Sequence, residues 1–156
     1  DILAPASAEE AVAGANVVRC SSRRKDESPV FNAAWLEPGM TIVSVSSTLP
    51  EQRELNVETM QRATLIVADM PEEVLHETGD ALAVQAIGDD LASKTVSLAD
   101  VVSNNITARK NPEDILIYKS VGSALQDIVT AEMLLRNAKL ESLFQDMPES
   151  IVTIDR

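Results

Sequence analysis

Cysteine is almost absent from this chain. Cys20 is alone among 156 residues. One thiol closes no internal disulfide and makes no zinc site by itself, so a cytoplasmic protein is the default expectation. Histidine is equally scarce. His76 stands beside Glu72, Glu73 and Glu77 and reads as an exposed helical residue rather than a metal ligand. It would also have to serve any Ser-His-Asp triad, and no G-x-S-x-G elbow accompanies it. Two Phe, one Trp and one Tyr are too few for a base-stacking platform. Basic side chains number 13 against 25 acidic ones, a net charge of −12. That balance disfavours nucleic-acid backbones and anionic membranes as partners. No apolar run approaches the length needed to span a bilayer. Asp1-Ile2-Leu3 lacks the basic segment of a secretory signal. The five glycines, Gly14, Gly39, Gly79, Gly88 and Gly122, include no G-x-G pair. A phosphate-cradling glycine loop is therefore missing.

What is present is globular. Apolar residues make up 45% and charged residues 24%. A chain of this length buries roughly 68–70% of its unfolded surface and needs no staple. Strand-like runs alternate with helical ones. Ser7 and Glu10 form an S-x-x-E capping box on a helix from Ala8 to Ala13, ended by Gly14. The compact apolar run Asn16–Cys20 reads as a buried strand. Pro38 and Gly39 make a turn. Thr41–Ser46 and Thr64–Ala68 read as strands, with β-branched residues dominating the first. Helices are expected over Val57–Ala63 and Pro71–His76, the second broken at Thr78-Gly79-Asp80. Leu82–Gly88 is ambiguous, and Leu98–Asn104 reads as a helix. Ile115–Tyr118 is a fourth strand. The longest helix runs from Ala124 to about Glu141, with Leu125, Ile128, Val129, Glu132 and Leu135 marking one buried face. The tail run Ile151–Ile154 is a candidate short strand.

This alternation predicts an α/β fold: a partial Rossmann-like, mostly parallel sheet with flanking helices. Ligands of such sheets sit at the carboxyl ends of strands. Four loop starts fall there: Ser21-Ser22, Ser46-Ser47-Thr48, Asp69 and Lys119-Ser120-Val121-Gly122. Small and hydroxyl residues at all four fit a groove that backbone can approach closely, although each serine is also an ordinary turn residue. Gly122, at the mouth of the longest helix, suits either a close-approaching polar ligand or simple helix entry. Cys20, inside a strand, is expected to be buried and inert.

Five collinear stretches then carry a resemblance. Glu9–Val18 is similar to the "EEAVxGADVV" passage of the ornithine cyclodeaminase/mu-crystallin family. Ser28–Phe31 with Trp35–Gly39 resembles its "PVF…WLxPG", and Ile42–Ser47 with Pro50, Arg53, Glu54 and Leu55 its "xxVGxxxPxxREL". Glu77–Asp80 resembles "ESGD", and Tyr118–Asp127 resembles "FKSVGxALxD". The resemblance implies a Rossmann-type domain binding NAD or NADP, in enzymes that cyclodeaminate or dehydrogenate amino acids or reduce cyclic imines. It places Ser21 and Ser22 beside the cofactor and Ser46 and Ser47 after the strand beneath the nicotinamide. It places Ser120, Val121 and Gly122 beside the nicotinamide ring.

One departure bears on activity. Where cyclodeaminases and related alanine dehydrogenases carry an aspartate, this chain has Thr48. Threonine is no carboxylate base, so an imine reductase or amino-acid dehydrogenase is favoured over an ornithine cyclodeaminase. Thr48 is the candidate catalytic position. The missing glycine loop gives the expectation that residues 1–147 are a truncated NAD(P)-binding domain, followed by a tail at 148–156. Such a piece alone is expected to be inactive and to hold the dinucleotide weakly. The expected partners are a small amino-acid or imine substrate and, through the exposed edge of the Asn16–Cys20 strand, a second copy in a homodimer. A non-enzymatic nucleotide-binding or assembly module is the alternative.

Overall fold

The computed structural model of the chain describes residues 2–141 and 143. The run Ile151–Ile154 lies outside them. The described elements, in chain order, are α1 (Ala8–Val12), β1 (Val17–Cys20), β2 (Thr41–Ser44), α2 (Val57–Arg62), β3 (Leu65–Ala68), α3 (Pro71–Glu77), α4 (Gly79–Gln85), β4 (Thr95–Ser97), α5 (Leu98–Val102), β5 (Leu116–Lys119) and α6 (Ala124–Leu140). The strands form one sheet in the order β1-β2-β5-β3-β4, and every pairing is parallel. This is the Rossmann-like α/β architecture expected from the alternating pattern. The last strand enters the middle of the sheet, between β2 and β3.

Local chemistry sets the element ends. Ser7 Oγ accepts the Glu10 amide at α1, while Glu10 Oε2 reaches back to the Ala6 amide, one residue before the cap. Asn56 Oδ1 caps α2 by accepting the Thr59 amide, and also takes the amide of Ala33 across the fold. Pro71 opens α3, where its missing N–H costs nothing. Gly39 has φ +81°, and a Cβ there would press on the Pro112 carbonyl at 2.6 Å, so only glycine fits this turn.

Register explains where the core sits. Val18, Ile42, Ile117 and Ile66 are cross-strand partners. All four are buried, with Leu55, Met60 and Val84 in the same cluster. Two residues further along, on the same face, the row reads Cys20, Ser44, Lys119 and Ala68. It is equally buried, but its two central members, Ser44 and Lys119, are polar. The core thus changes character toward the carboxyl ends of the strands.

Three expectations need correction, and one strand is added. β1 is not buried throughout: it is an edge strand whose side chains alternate, with Val18 and Cys20 inside and Val17 63% exposed. An apolar run records composition, whereas burial depends on whether both faces are covered. The break at Thr78-Gly79-Asp80 is narrower than expected. Thr78 alone separates α3 from α4, and Gly79 and Asp80 are the first residues of α4, which also takes in most of the ambiguous Leu82–Gly88 stretch. The three-residue strand β4 was not foreseen, because Thr95-Val96-Ser97 is too short for a period to register. The apolar stripe on α6 is not a buried face: Leu125 is 69%, Ile128 65% and Leu135 52% exposed. Periodicity tells which residues share a face, not whether a surface covers it. The chain divides into two compact units, one ending at Gly122 and one beginning at Ser123.

Candidate functional site at the carboxyl ends of the strands

Parallel pairing puts every strand's carboxyl end on one edge of the sheet. There the sheet order lines up Ser21-Ser22 after β1, Val45–Thr48 after β2, Ser120–Gly122 after β5 and Asp69 after β3. The sequence-derived candidates therefore share one edge, on neighbouring strands.

Their environments differ. Ser21 and Ser22 are exposed, and Ser22 borders a cleft of about 170 Å3 walled by Val12, Val18, Cys20, Phe31 and Trp35. Ser46 is half-buried, and its amide donates to Glu54 Oε2 at 3.0 Å. Ser47 is fully buried and turns inward. Its hydroxyl donates to Asp80 Oδ2. Thr48 is half-buried, its amide held by Gln52 Oε1 at 3.1 Å.

The loop after β5 is organised by Asp69. Its Oδ2 accepts the Ser120 hydroxyl at 2.7 Å and the Gly122 amide at 2.9 Å, and its Oδ1 accepts the Val121 amide at 3.1 Å. Gly122 has φ +79°, and a Cβ there would meet nothing within 4 Å. Glycine is needed here for the backbone conformation, and the space beside it is open. Ser123 Oγ then caps α6 by accepting the Gln126 amide.

Partial burial pushes the Asp69 carboxyl up, but the bonds from the Ser120 hydroxyl and the amides of Val121, Gly122 and Met70 outweigh it and hold the group below its ordinary value of 3.8. The sign of the linkage follows. A depressed folded-state value adds stability that is complete above the ordinary value and is lost as pH falls below it. In acid titrations of folding, Asp69→Asn should therefore flatten the stability loss below about pH 4. An unchanged acid limb would show that Asp69 gains nothing from these contacts.

Beneath the edge lies a polar cluster that sequence reasoning did not assemble. Lys119 and Asp80 have no exposed side-chain surface and meet at 2.8 Å. Lys119 Nζ also reaches Ser44 Oγ at 2.9 Å, Ser47 O at 2.8 Å and Ser47 Oγ at 2.7 Å. Asp80 Oδ1 accepts the amides of Glu54 and Leu55, each at 2.9 Å. Ser44 Oγ donates to the buried Glu54 at 2.6 Å. The signals were in the sequence: a lysine closing an apolar strand, and an aspartate after a glycine in the middle of a helical stretch. Neither residue announces its partner 39 positions away in sequence order, so no spacing argument could pair Asp80 with Lys119.

Cys20 borders this cluster. Burial, and then the charges of Glu54 and Asp80, push its thiol up to about 12, with Lys119 opposing. At neutral pH it is a thiol, not a nucleophile. His76 is exposed and 3.5 Å from Glu72. Among the described residues no three His, Cys, Asp or Glu side chains come together as a metal site, and no helix is long and apolar enough to cross a membrane.

Comparison with known proteins extends this picture. The family model described as "Ornithine cyclodeaminase/mu-crystallin family" matches residues 1–142. The mouse (Mus musculus) ketimine reductase mu-crystallin is 33% identical over 133 residues, covering 85% of this chain and 39% of that protein. The structure of Thermococcus litoralis Delta(1)-pyrroline-2-carboxylate reductase, in complex with NADH and L-proline, superposes with a TM-score of 0.77 at 29% identity, covering 87% of this chain and 42% of that one. An archaeal alanine dehydrogenase dimer with bound NAD gives a TM-score of 0.74 at 26% identity, covering 92% and 43%. The chain thus spans about two fifths of the length of the proteins it matches.

Proposed function

The chain belongs to the ornithine cyclodeaminase/mu-crystallin family, and from that premise we propose that residues 1–147 are part of the NAD- or NADP-binding domain of an oxidoreductase acting on amino acids or cyclic imines. The observation that carries the reading is the alignment of three hydroxyl- and glycine-bearing loops along the carboxyl edge of an all-parallel sheet, where ligands of such folds bind. A pyrroline-2-carboxylate reductase with NADH and an alanine dehydrogenase with NAD, both sharing the fold, support it.

The residues present fit a dinucleotide at this edge. Ser21 and Ser22 are exposed and can offer hydroxyls to it. Ser46 leaves its hydroxyl unengaged by the hydrogen bond its amide makes. Ser120, Val121 and Gly122 form a loop held from behind by Asp69, with open space at Gly122. Ser47 contributes from below, by fixing the loop between Ser46 and Thr48. When bound, the nicotinamide would supply the hydride in imine reduction or accept it in dehydrogenation; the protein's part is to bind, orient and exclude water. Thr48 is the candidate residue facing substrate. Its hydroxyl can donate or accept a hydrogen bond but cannot hold a proton as a carboxylate does. That favours imine reduction or amino-acid dehydrogenation over ornithine cyclodeamination. A homodimer is the assembly we favour, in keeping with the dimeric alanine dehydrogenase neighbour.

The test is an assay of the complete gene product carrying these 156 residues. Loss of nicotinamide absorbance is followed with NADH or NADPH and either pyrroline-2-carboxylate or pyruvate with ammonium. Turnover of one pair is expected. No oxidation of either nucleotide with any cyclic imine or keto acid would defeat the reading, and conversion of ornithine to proline would refute the substrate class. In the same assay Thr48→Ala should lower kcat by up to about tenfold, the equivalent of one lost hydrogen bond of about 1.4 kcal/mol. Its folding stability should change by no more than about 1 kcal/mol, the centre of the range for a point substitution. Equal losses of stability and turnover would make Thr48 a structural residue only.

A further inference from the structure

We propose that the buried Lys119–Asp80 pair is a positioning device that fixes the loop Ser46–Thr48 against the loop Ser120–Gly122. The proposal rests on the reading of these two loops as the cofactor edge, and adds to it two residues that touch neither cofactor nor substrate. Lys119 is the last residue of β5, so its backbone leads directly into Ser120. Its ammonium has three N–H groups and finds four oxygens, two of which, at 2.7 and 2.8 Å, belong to Ser47. Ser47 is the middle residue of the other loop. Asp80 completes the brace. One of its oxygens takes Lys119 and the Ser47 hydroxyl, and the other takes the amides of Glu54 and Leu55 where that loop's chain returns. The first loop is thus tied to the buried charge pair through Ser47, and the second through the chain at Lys119, while Asp69 holds the second loop from its other side.

The chemistry favours a positioning role over a purely stabilising one. Desolvating two charges offsets most of their attraction, and apolar residues of similar volume often stabilise a core as well or better. The row one step deeper in this sheet is built that way, from Val18, Ile42, Ile117 and Ile66. On this face of the sheet a charged side chain, Lys119, stands only in the row nearest the strand ends. There an ion pair has a directional use that aliphatic side chains lack: it dictates where a carbonyl and a hydroxyl of Ser47 must lie.

Amide hydrogen exchange on the complete gene product, without cofactor, tests this. The variant is Lys119→Met combined with Asp80→Asn, which removes both charges together and leaves neither buried alone. Asn keeps an oxygen for the Glu54 and Leu55 amides. Exchange at Ser46, Thr48 and Ser120, whose amide follows Lys119 and bonds the Ser44 carbonyl, should quicken by at least about tenfold, while mid-strand Ile42 and Ile66 change by less than about twofold. A folded variant with unaltered loop exchange overturns the proposal, as does equal acceleration at all these amides. Should the double variant not fold, Ser47→Ala replaces it. This change leaves the charges paired and removes the two hydrogen bonds of the Ser47 hydroxyl, and exchange at Ser46 and Thr48 should rise about threefold; no rise overturns the proposal. In the complete enzyme, at a temperature where it stays folded, the double variant should raise KM for the nicotinamide nucleotide and for the substrate that meets Thr48 by about tenfold each, a change that general destabilisation does not produce. An unaltered enzyme that fails to oxidise NADH or NADPH counts against the proposed function, whereas the exchange measurement judges the brace by itself.

Discussion

Lys119→Met as a single change is expected to cost about 3–5 kcal/mol of folding stability, the range for breaking a buried ion pair from one side. Asp80 has no exposed side-chain surface and meets no other cation among the described residues. Without Lys119 its charge would stay in the interior with only the Ser47 hydroxyl and two backbone amides to hold it. Ser44 and Ser47 would each lose a donor as well. Methionine matches the aliphatic stem of lysine in volume, so little of the loss would come from packing. Urea denaturation followed by circular dichroism measures the effect. A loss below about 1 kcal/mol would place the pair in the class of weak surface bridges, against the burial seen here. Adding Asp80→Asn should recover part of the loss, because the unpaired charge is then gone.

Gly79→Ala is the second large effect, and its sign is diagnostic. Glycine to alanine inside a helix ordinarily stabilises by about 0.5–1 kcal/mol. Gly79 is the first residue of α4 and is fully enclosed. A Cβ there would lie 2.5 Å from the Pro50 carbonyl oxygen and closer still to that of Gln52. Both are backbone atoms, so no side chain can swing aside. The Gly79 amide also donates to the Leu49 carbonyl at 3.1 Å, which holds the two segments in contact. We expect a net loss of about 1–3 kcal/mol, the cost of overpacking, despite the propensity gain. The displaced segment would be the one that follows Thr48, and the neighbouring residue is Asp80. Loop amides at Ser46 and Thr48 should therefore exchange faster. A thermal unfolding midpoint at or above that of the unaltered chain would show that the Pro50–Gln52 segment yields freely.

Much of this architecture can be read from single segments. Thr41–Ser44 and Leu65–Ala68 are strands because β-branched and aliphatic residues fill them. α3 starts at Pro71 because proline suits a first helical turn. The turn at Pro38-Gly39 follows from the φ that each residue prefers. Local signals fail where burial depends on distant neighbours. The same apolar density that made Asn16–Cys20 look buried belongs to an edge strand, and the stripe on α6 is exposed. The ordered motifs placed the chain in its family, and they already contained Glu54, Asp80 and Lys119, yet as letters in three separate passages.

The sequence by itself therefore determined the element types, the parallel α/β class and the residues that follow each strand, because propensity, capping and hydrophobic pattern act over a few positions. The tertiary structure alone decided the strand order. Inserting β5 between β2 and β3 brings Lys119 beside Ser44 on one side and Ala68 on the other. That placement turns a strand-ending lysine into the partner of Asp80 and sets Asp69 behind the Ser120–Gly122 loop. Charge pairing in an interior is a matter of distances of about 3 Å between groups far apart along the chain, and only folding fixes those distances.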